Sequence, residues 1–126
     1  MTSERALVRR LAELVSFDTQ NPAGDERPLA DRLAKELHAL GAAQVDTFLT
    51  GRHASVYARF GTSQPKLLLN AHIDTVPANA GWHRPPHTLF EEGGRCYGLG
   101  SADTKGAAAA ILEAIAVLKV AGKSPD

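Results

Sequence analysis

LLLNAHIDTVP, residues 67 to 77, runs three leucines straight into a His-x-Asp triplet. An unbroken apolar run of this kind reads as a strand buried on both faces. The expected fold is therefore α/β, with Leu67 to Ala71 as a central parallel strand and His72 at its carboxyl end. Open α/β sheets carry their ligand sites at that end. Side chains alternate along a strand, so Asn70, His72 and Asp74 should share one face. His72 can ligate a metal through one ring nitrogen while Asp74 holds the other N–H and fixes the tautomer. An isolated His-x-Asp is more often the polar end of a strand, so a second motif is needed to raise its weight.

That motif is GLGSADTKG, residues 98 to 106, followed by an alanine-rich helical run. Asp103 falls at a loop-to-helix junction, where it is either a helix cap or a site residue. Two phosphate-loop readings fail. Asp103 occupies the place of the third glycine in the dinucleotide fingerprint, and Val117 stands where a Walker loop before Gly122-Lys123-Ser124 needs its first glycine. Lys105 is either a binder of substrate carboxylate or a structural residue. The structural role is preferred, because a cation at a helix start is unfavourable without a partner.

Four segments together resemble the zinc-dependent M20 peptidase and deacylase family, on its acetylornithine and acetylcitrulline deacetylase branch. They are LVSFDTQNP (14–22), AHIDTVP (71–77), the linker from Trp82 to Pro86, and YGLGSADTKGAAAA (97–110). The likeness covers nearly all of this chain but only about the opening third of a family member. It implies a three-layer zinc-exopeptidase-like catalytic domain, with a central, mostly parallel sheet flanked by helices. Residues 1–126 would form its N-terminal part, without the rest of that domain and without the lid and dimerisation domain. It implies that His72 ligates one zinc, that Asp103 bridges two, and that Asp74 is the catalytic-site carboxylate that orients His72. It also implies a cis peptide between Asp103 and Thr104. The implied cofactor is two zinc ions per complete site, with cobalt or another divalent metal as alternatives. The implied partner is a small N-acyl amino acid or peptide, and the full-length parent would be a homodimer.

The chain departs from the family pattern after Asp103. The family's general-base Glu, its neighbouring ligand Glu, a further acidic ligand and a last ligand His all fall beyond residue 126. Glu113 is the only later Glu, and Glu91-Glu92 precede Gly98. A catalytic zinc takes three protein ligands and water, which His72 and Asp103 do not supply. The parent is expected to be an amidohydrolase or peptidase involved in amino-acid biosynthesis, and the 126-residue chain inactive. The alternative is a non-catalytic remnant serving as a metal-binding or interaction module.

Composition removes other classes. Fourteen basic and fourteen acidic residues give a formal charge of zero, which argues against a nucleic-acid binder. Cys96 is the single cysteine, so no internal disulfide forms. A polar N-terminus without an apolar core and the lack of any membrane-length run make a cytoplasmic location the expectation.

Periodicity supplies the rest. Thr2 or Ser3 should cap a first helix carrying Leu7, Leu11, Leu14 and Val15 on one face. Asp25 should cap a second, with Leu29, Leu33, Leu37 and Leu40 in register and Gly41 ending it. Gln44 to Leu49 and Ser55 to Phe60, turned about Gly51-Arg52, read as a hairpin or an edge pair, and Thr88 to Phe90 with Arg95 to Tyr97 as short strands about Gly93-Gly94. Thr104 to Ala121 reads as a helix that buries Ile111, Leu112, Ile115 and Leu118. His83 and His87 are separated by two prolines and belong to a loop. His38 and His53 have no expected site role.

Overall fold

The computed structural model describes residues 3–123. Helix α1 spans Ser3–Ser16 and α2 spans Arg27–Leu40; strands β1 and β2 are Gln44–Thr50 and His53–Arg59, strands β3 and β4 are Phe90–Glu92 and Arg95–Tyr97, and α3 is Gly106–Val120. Thr2 and Ser124 lie outside the described residues.

The core is a three-helix contact. Leu11, Leu14 and Val15 of α1 meet Leu29 and Leu33 of α2, together with Ala108, Ala109 and Leu112 of α3. The alanines allow the α3 backbone close to its neighbours. Burying each leucine contributes about 1.5–3 kcal/mol, so the expected helical registers account for this cluster. The far end of α3 differs from expectation. Leu118 is exposed and Glu113 is buried in its place, because Glu113 meets Arg10 of α1 (Nε to Oε2, 2.8 Å) and the Ser3 hydroxyl (3.1 Å). Ser3 thus bonds across helices rather than capping its own.

Asp25 accepts the Arg27 N–H at 3.0 Å, although Glu26 is the residue that flanks α2 and makes no side-chain cap. Gly41 ends the helix with φ +100, a left-handed conformation suited to glycine. Its N–H reaches His38 O at 3.0 Å, and Ala42 N–H reaches Leu37 O at 3.0 Å. Strands β1 and β2 pair antiparallel from Gln44↔Arg59 to Thr50↔His53, as the hairpin reading requires. Glu26 closes the turn end: its carboxylate accepts the buried Ala54 N–H at 2.8 Å and lies 3.0 Å from His53 Nδ1. In the second hairpin Glu91 and Glu92 belong to β3 itself, paired with Cys96 and Arg95.

The central strand does not form. Among the described residues there are two separate two-stranded antiparallel sheets, and neither includes residues 67–71. Leu67, Leu68 and Leu69 are 76%, 79% and 53% exposed. A strand exists through the hydrogen bonds of its neighbours, and no strand among the described residues pairs with this segment. The apolar run therefore stays unpaired. Ala71 and Ile73 still turn inward against the helical core, so the alternation that was read from the sequence persists past the leucines. No helix among the described residues is long and apolar enough to cross a membrane.

Candidate metal centre

The site is built by three segments that converge beside the N-terminal end of α3. The first is the loop after α1. Residues 19–21 run alongside residues 73–75 as a short parallel rung, Gln20 opposite Thr75. Thr75 N–H bonds Thr19 O at 3.0 Å, Asn21 N–H bonds Thr75 O at 2.8 Å, and the buried Thr19 hydroxyl donates to Ile73 O at 2.7 Å. These bonds fix the backbone on which His72 and Asp74 stand. Gln20 adds a side-chain brace by accepting the Ala78 N–H at 2.7 Å.

The third segment is the turn Ser101–Lys105, a wide helical turn broken at Asp103 (φ −130, ψ 89) and Thr104 (φ −131, ψ 27). The Asp103–Thr104 peptide is cis, and so is Asn21–Pro22. Gly100 enters the turn with φ +80, and a Cβ there would lie 2.5 Å from Thr75 Cγ2. Only glycine lets the turn press this closely on the His72–Thr75 loop.

Across 31 positions of sequence, His72 Nε2 comes to 2.9 Å from Asp103 Oδ1. Thr104 Oγ1 donates to His72 O at 3.0 Å and locks the two loops together. On the other side of the ring, His72 Nδ1 lies 3.1 Å from the main-chain carbonyl of Asp74 and 3.3 Å from its Oδ1. The main-chain oxygen, rather than the carboxylate, is thus the nearer acceptor. Asp74 Oδ2 in turn faces Asn21 Nδ2 at 3.5 Å. Both imidazole nitrogens face oxygens. The charged ring is favoured, so the His72 pKa is raised, first by the bond to the Asp74 carbonyl and then by the Asp103 carboxylate.

This donor set can be tested against a metal. Two ligands at about 2.1 Å with tetrahedral spacing have donor atoms about 3.4 Å apart. His72 Nε2 and Asp103 Oδ1 at 2.9 Å need only a small opening to admit an ion in place of the proton between them. Asp103 is 81% exposed at its side chain, which leaves its second oxygen open. The residues fit part of a metal site. No group of three or more His, Cys, Asp or Glu able to hold an ion occurs among the described residues.

The surrounding cleft, about 380 Å³, is lined by Asn21, His72, Asp74, Thr75, Gly100 and Asp103 among others. The other histidines stay out of it. His87 sits 3.4 Å from Gln20 Nε2, His53 pairs with Glu26, and His83 borders a separate cleft with Trp82 and Tyr97. Lys105 is fully buried, with its ammonium on Phe17 O at 2.9 Å, and burial lowers its pKa to about 8. It contacts no open surface, in keeping with the structural role preferred from the sequence. Reading the sequence alone assigned no role to Asn21 and Thr75. The signal was the polar run Asp18 to Asn21, which no amphipathic pattern explains.

Residues 68–126 match the model of peptidase family M20/M25/M40. Over 111 residues the chain is 41% identical to N-acetyl-L-citrulline deacetylase of Xanthomonas campestris pv. campestris, covering 85% of this chain and 29% of that protein. It is 38% identical over 106 residues to acetylornithine deacetylase of Vibrio cholerae (82% and 28%). It is 35% identical over 130 residues to the Beta-Ala-Xaa dipeptidase of Lactobacillus delbrueckii subsp. lactis (95% and 27%). The crystal structure of human carnosine dipeptidase 1 superposes with a TM-score of 0.76 at 22% identity, over 96% of this chain and 29% of that one, which establishes the shared fold. The chain spans less than a third of the length of each of these proteins. The chain belongs to peptidase family M20/M25/M40.

Proposed function

We propose that this chain contributes one side of the metal centre of a zinc-dependent amidohydrolase that removes an acyl group from an N-acyl amino acid. The observation that carries the reading is the 2.9 Å approach of His72 Nε2 to Asp103 Oδ1, with the opposite ring nitrogen held by Asp74. The resemblance to the two deacetylases supports the acyl-amino-acid substrate. The dipeptidase relative favours a second reading, hydrolysis of a small dipeptide in the same site.

In this reading His72, through Nε2, and the Asp103 carboxylate would be among the groups that hold the zinc. Bound zinc would supply polarisation of the scissile carbonyl and acidification of water. Asp74 keeps the His72 proton on Nδ1, so that Nε2 presents its lone pair. Thr104 and Gly100 keep the Asp103 turn against the His72 loop. The leucines of residues 67–69 take their place as a parallel strand in a three-layer domain completed by sequence outside these 126 residues. The general base and remaining ligands belong to that same sequence. The complete protein is read as cytoplasmic and homodimeric.

Acetate release from N-acetylornithine and N-acetylcitrulline, measured with added zinc beside β-alanyl dipeptide cleavage, separates the readings. The longer protein should release acetate and lose that activity in Asp103→Ala, while the 126-residue chain stays inactive. Dipeptide cleavage alone would favour the second reading. Zinc-dependent turnover by the short chain would overturn the division of the site.

A further inference from the structure

Lys105 is the least expected residue in the core. It is completely buried and precedes α3, and among the described residues no carboxylate lies within 4 Å of its ammonium, Asp18 acting on it only from further away. A buried ammonium is costly without compensation, and a cation at a helix start adds to that cost. Residues that break a local rule in this way concentrate at functional sites.

The bonds around Lys105 form a closed ring. Its ammonium donates to Phe17 O at 2.9 Å, 88 positions away. From Phe17 the chain runs to Thr19, which bonds Ile73 O and Thr75 N–H. His72 O, one residue back, accepts the Thr104 hydroxyl, and Thr104 adjoins Lys105. On the inner side, Lys105 N–H bonds Gly100 O at 2.9 Å, and its Cδ lies 3.4 Å from where a Gly100 Cβ would stand. The turn that carries Asp103 therefore wraps the lysine stem. It is pinned on one side to His72 through Thr104 and on the other to the end of α1 through the ammonium.

We propose that Lys105 is a positioning residue whose ammonium, anchored on Phe17 O, holds the Asp103 carboxylate in register with His72 for metal binding. The proposal rests on reading Asp103 as a ligand. Its geometric half can be measured without metal.

The test uses the ¹³C,¹⁵N-labelled chain carrying Lys105→Met, which keeps the apolar stem and removes the donor. Three-bond couplings about the Asp103 Cα–Cβ bond report its side-chain conformation in the absence of metal. Zinc affinity is titrated separately in the longer protein proposed above, and a thermal melt establishes that the variant chain is folded. The wild-type couplings should fit one rotamer. Those of a folded Lys105→Met should average between rotamers, and zinc affinity should fall about 10-fold or more, as for loss of other ligand-orienting contacts. Unchanged Asp103 couplings in a folded variant, whatever its melting temperature, overturn the proposal. Should the methionine variant not fold, Lys105→Gln, with a neutral stem one atom too short to reach Phe17 O, is read by the same couplings and the same criterion. If the longer protein proposed above binds no zinc while the couplings respond to Lys105, the metal reading fails and the positioning role stands.

Discussion

His72 presents both ring nitrogens to oxygen atoms, Nε2 to Asp103 Oδ1 at 2.9 Å and Nδ1 to the Asp74 carbonyl at 3.1 Å. A neutral imidazole has one donor and can satisfy only one of them; the imidazolium satisfies both. The raised pKa follows, with the Asp74 carbonyl as the first cause. Because the folded value lies above the ordinary 6.5, the stabilisation is complete below that value and is lost as pH rises through the folded pKa. In metal-free chain, the His72 ring-proton shift should therefore titrate above 6.5, and Asp103→Asn should lower the midpoint. Zinc must displace the Nε2 proton, so its affinity should rise with pH across the same range. An unshifted midpoint in Asp103→Asn would show that the pair does not form in solution.

Asp74 offers His72 two acceptors, and only one of them is a side chain. Asp74→Ala removes the carboxylate at 3.3 Å but leaves the nearer main-chain carbonyl in place. The expected loss of zinc affinity in the longer protein is therefore about 10-fold, the lower end of the range for such contacts, with the fold intact. A loss of 100-fold or more would mean that the carboxylate itself enters the metal's coordination. No change would mean that the carbonyl alone orients the ring.

The pairing of His72 with Asp103 was legible through the family resemblance, because His-x-Asp alone reads as a polar strand end and Asp before a helix alone reads as a cap. The helical core was equally legible, since Leu11, Leu14, Leu29 and Leu33 repeat at helical spacing. What escaped was non-local. Nothing in the α3 pattern says that Glu113 would turn inward, because its reason is Arg10, 103 positions away. The Phe17–Asn21 backing of the site depends on hydrogen bonds to residues 73–75, which composition does not encode. The leucine run stays outside both sheets of the described residues for a different reason: periodicity reports what a segment is suited to bury, not whether a partner is there to cover it.

Arg10 ties the three helices together through carboxylates. Its guanidinium contacts Glu36 of α2 and Glu113 of α3, and Arg32 joins the same Glu36 at 3.0 Å and Glu13 of α1 at 2.9 Å. Arg10, Glu36 and Glu113 are all largely buried. Arg10→Ala would leave two shielded carboxylates short of a partner and should cost about 3 kcal/mol, the lower end for breaking a buried pair. Replacing Arg10, Glu36 and Glu113 together by methionine, glutamine and leucine should cost much less, because no charge is then stranded. Urea unfolding of the chain measures both. Equal losses in the two variants would mean that the network contributes attraction beyond mutual compensation.

Leu67 and Leu68 distinguish the isolated chain from the longer protein proposed above. In this structure both are more than three-quarters exposed, on a segment with no sheet partner among the described residues. Substitution of such residues should change stability by no more than about 0.5 kcal/mol, so Leu67→Lys with Leu68→Lys should leave the melting of the chain unchanged. The same change should reduce self-association, since an unpaired apolar strand is a template for pairing with another copy. In the longer protein the leucines are read as buried between sheet neighbours. There each contributes about 1.5–3 kcal/mol, and a buried lysine adds a desolvation cost. The double substitution should then destabilise that protein by at least about 3 kcal/mol. Denaturant melts of the two proteins, with sedimentation of the short chain, decide the matter. A large loss of stability in the 126-residue chain would show that the segment is already paired there, and equal tolerance in both proteins would remove residues 67–69 from the central sheet.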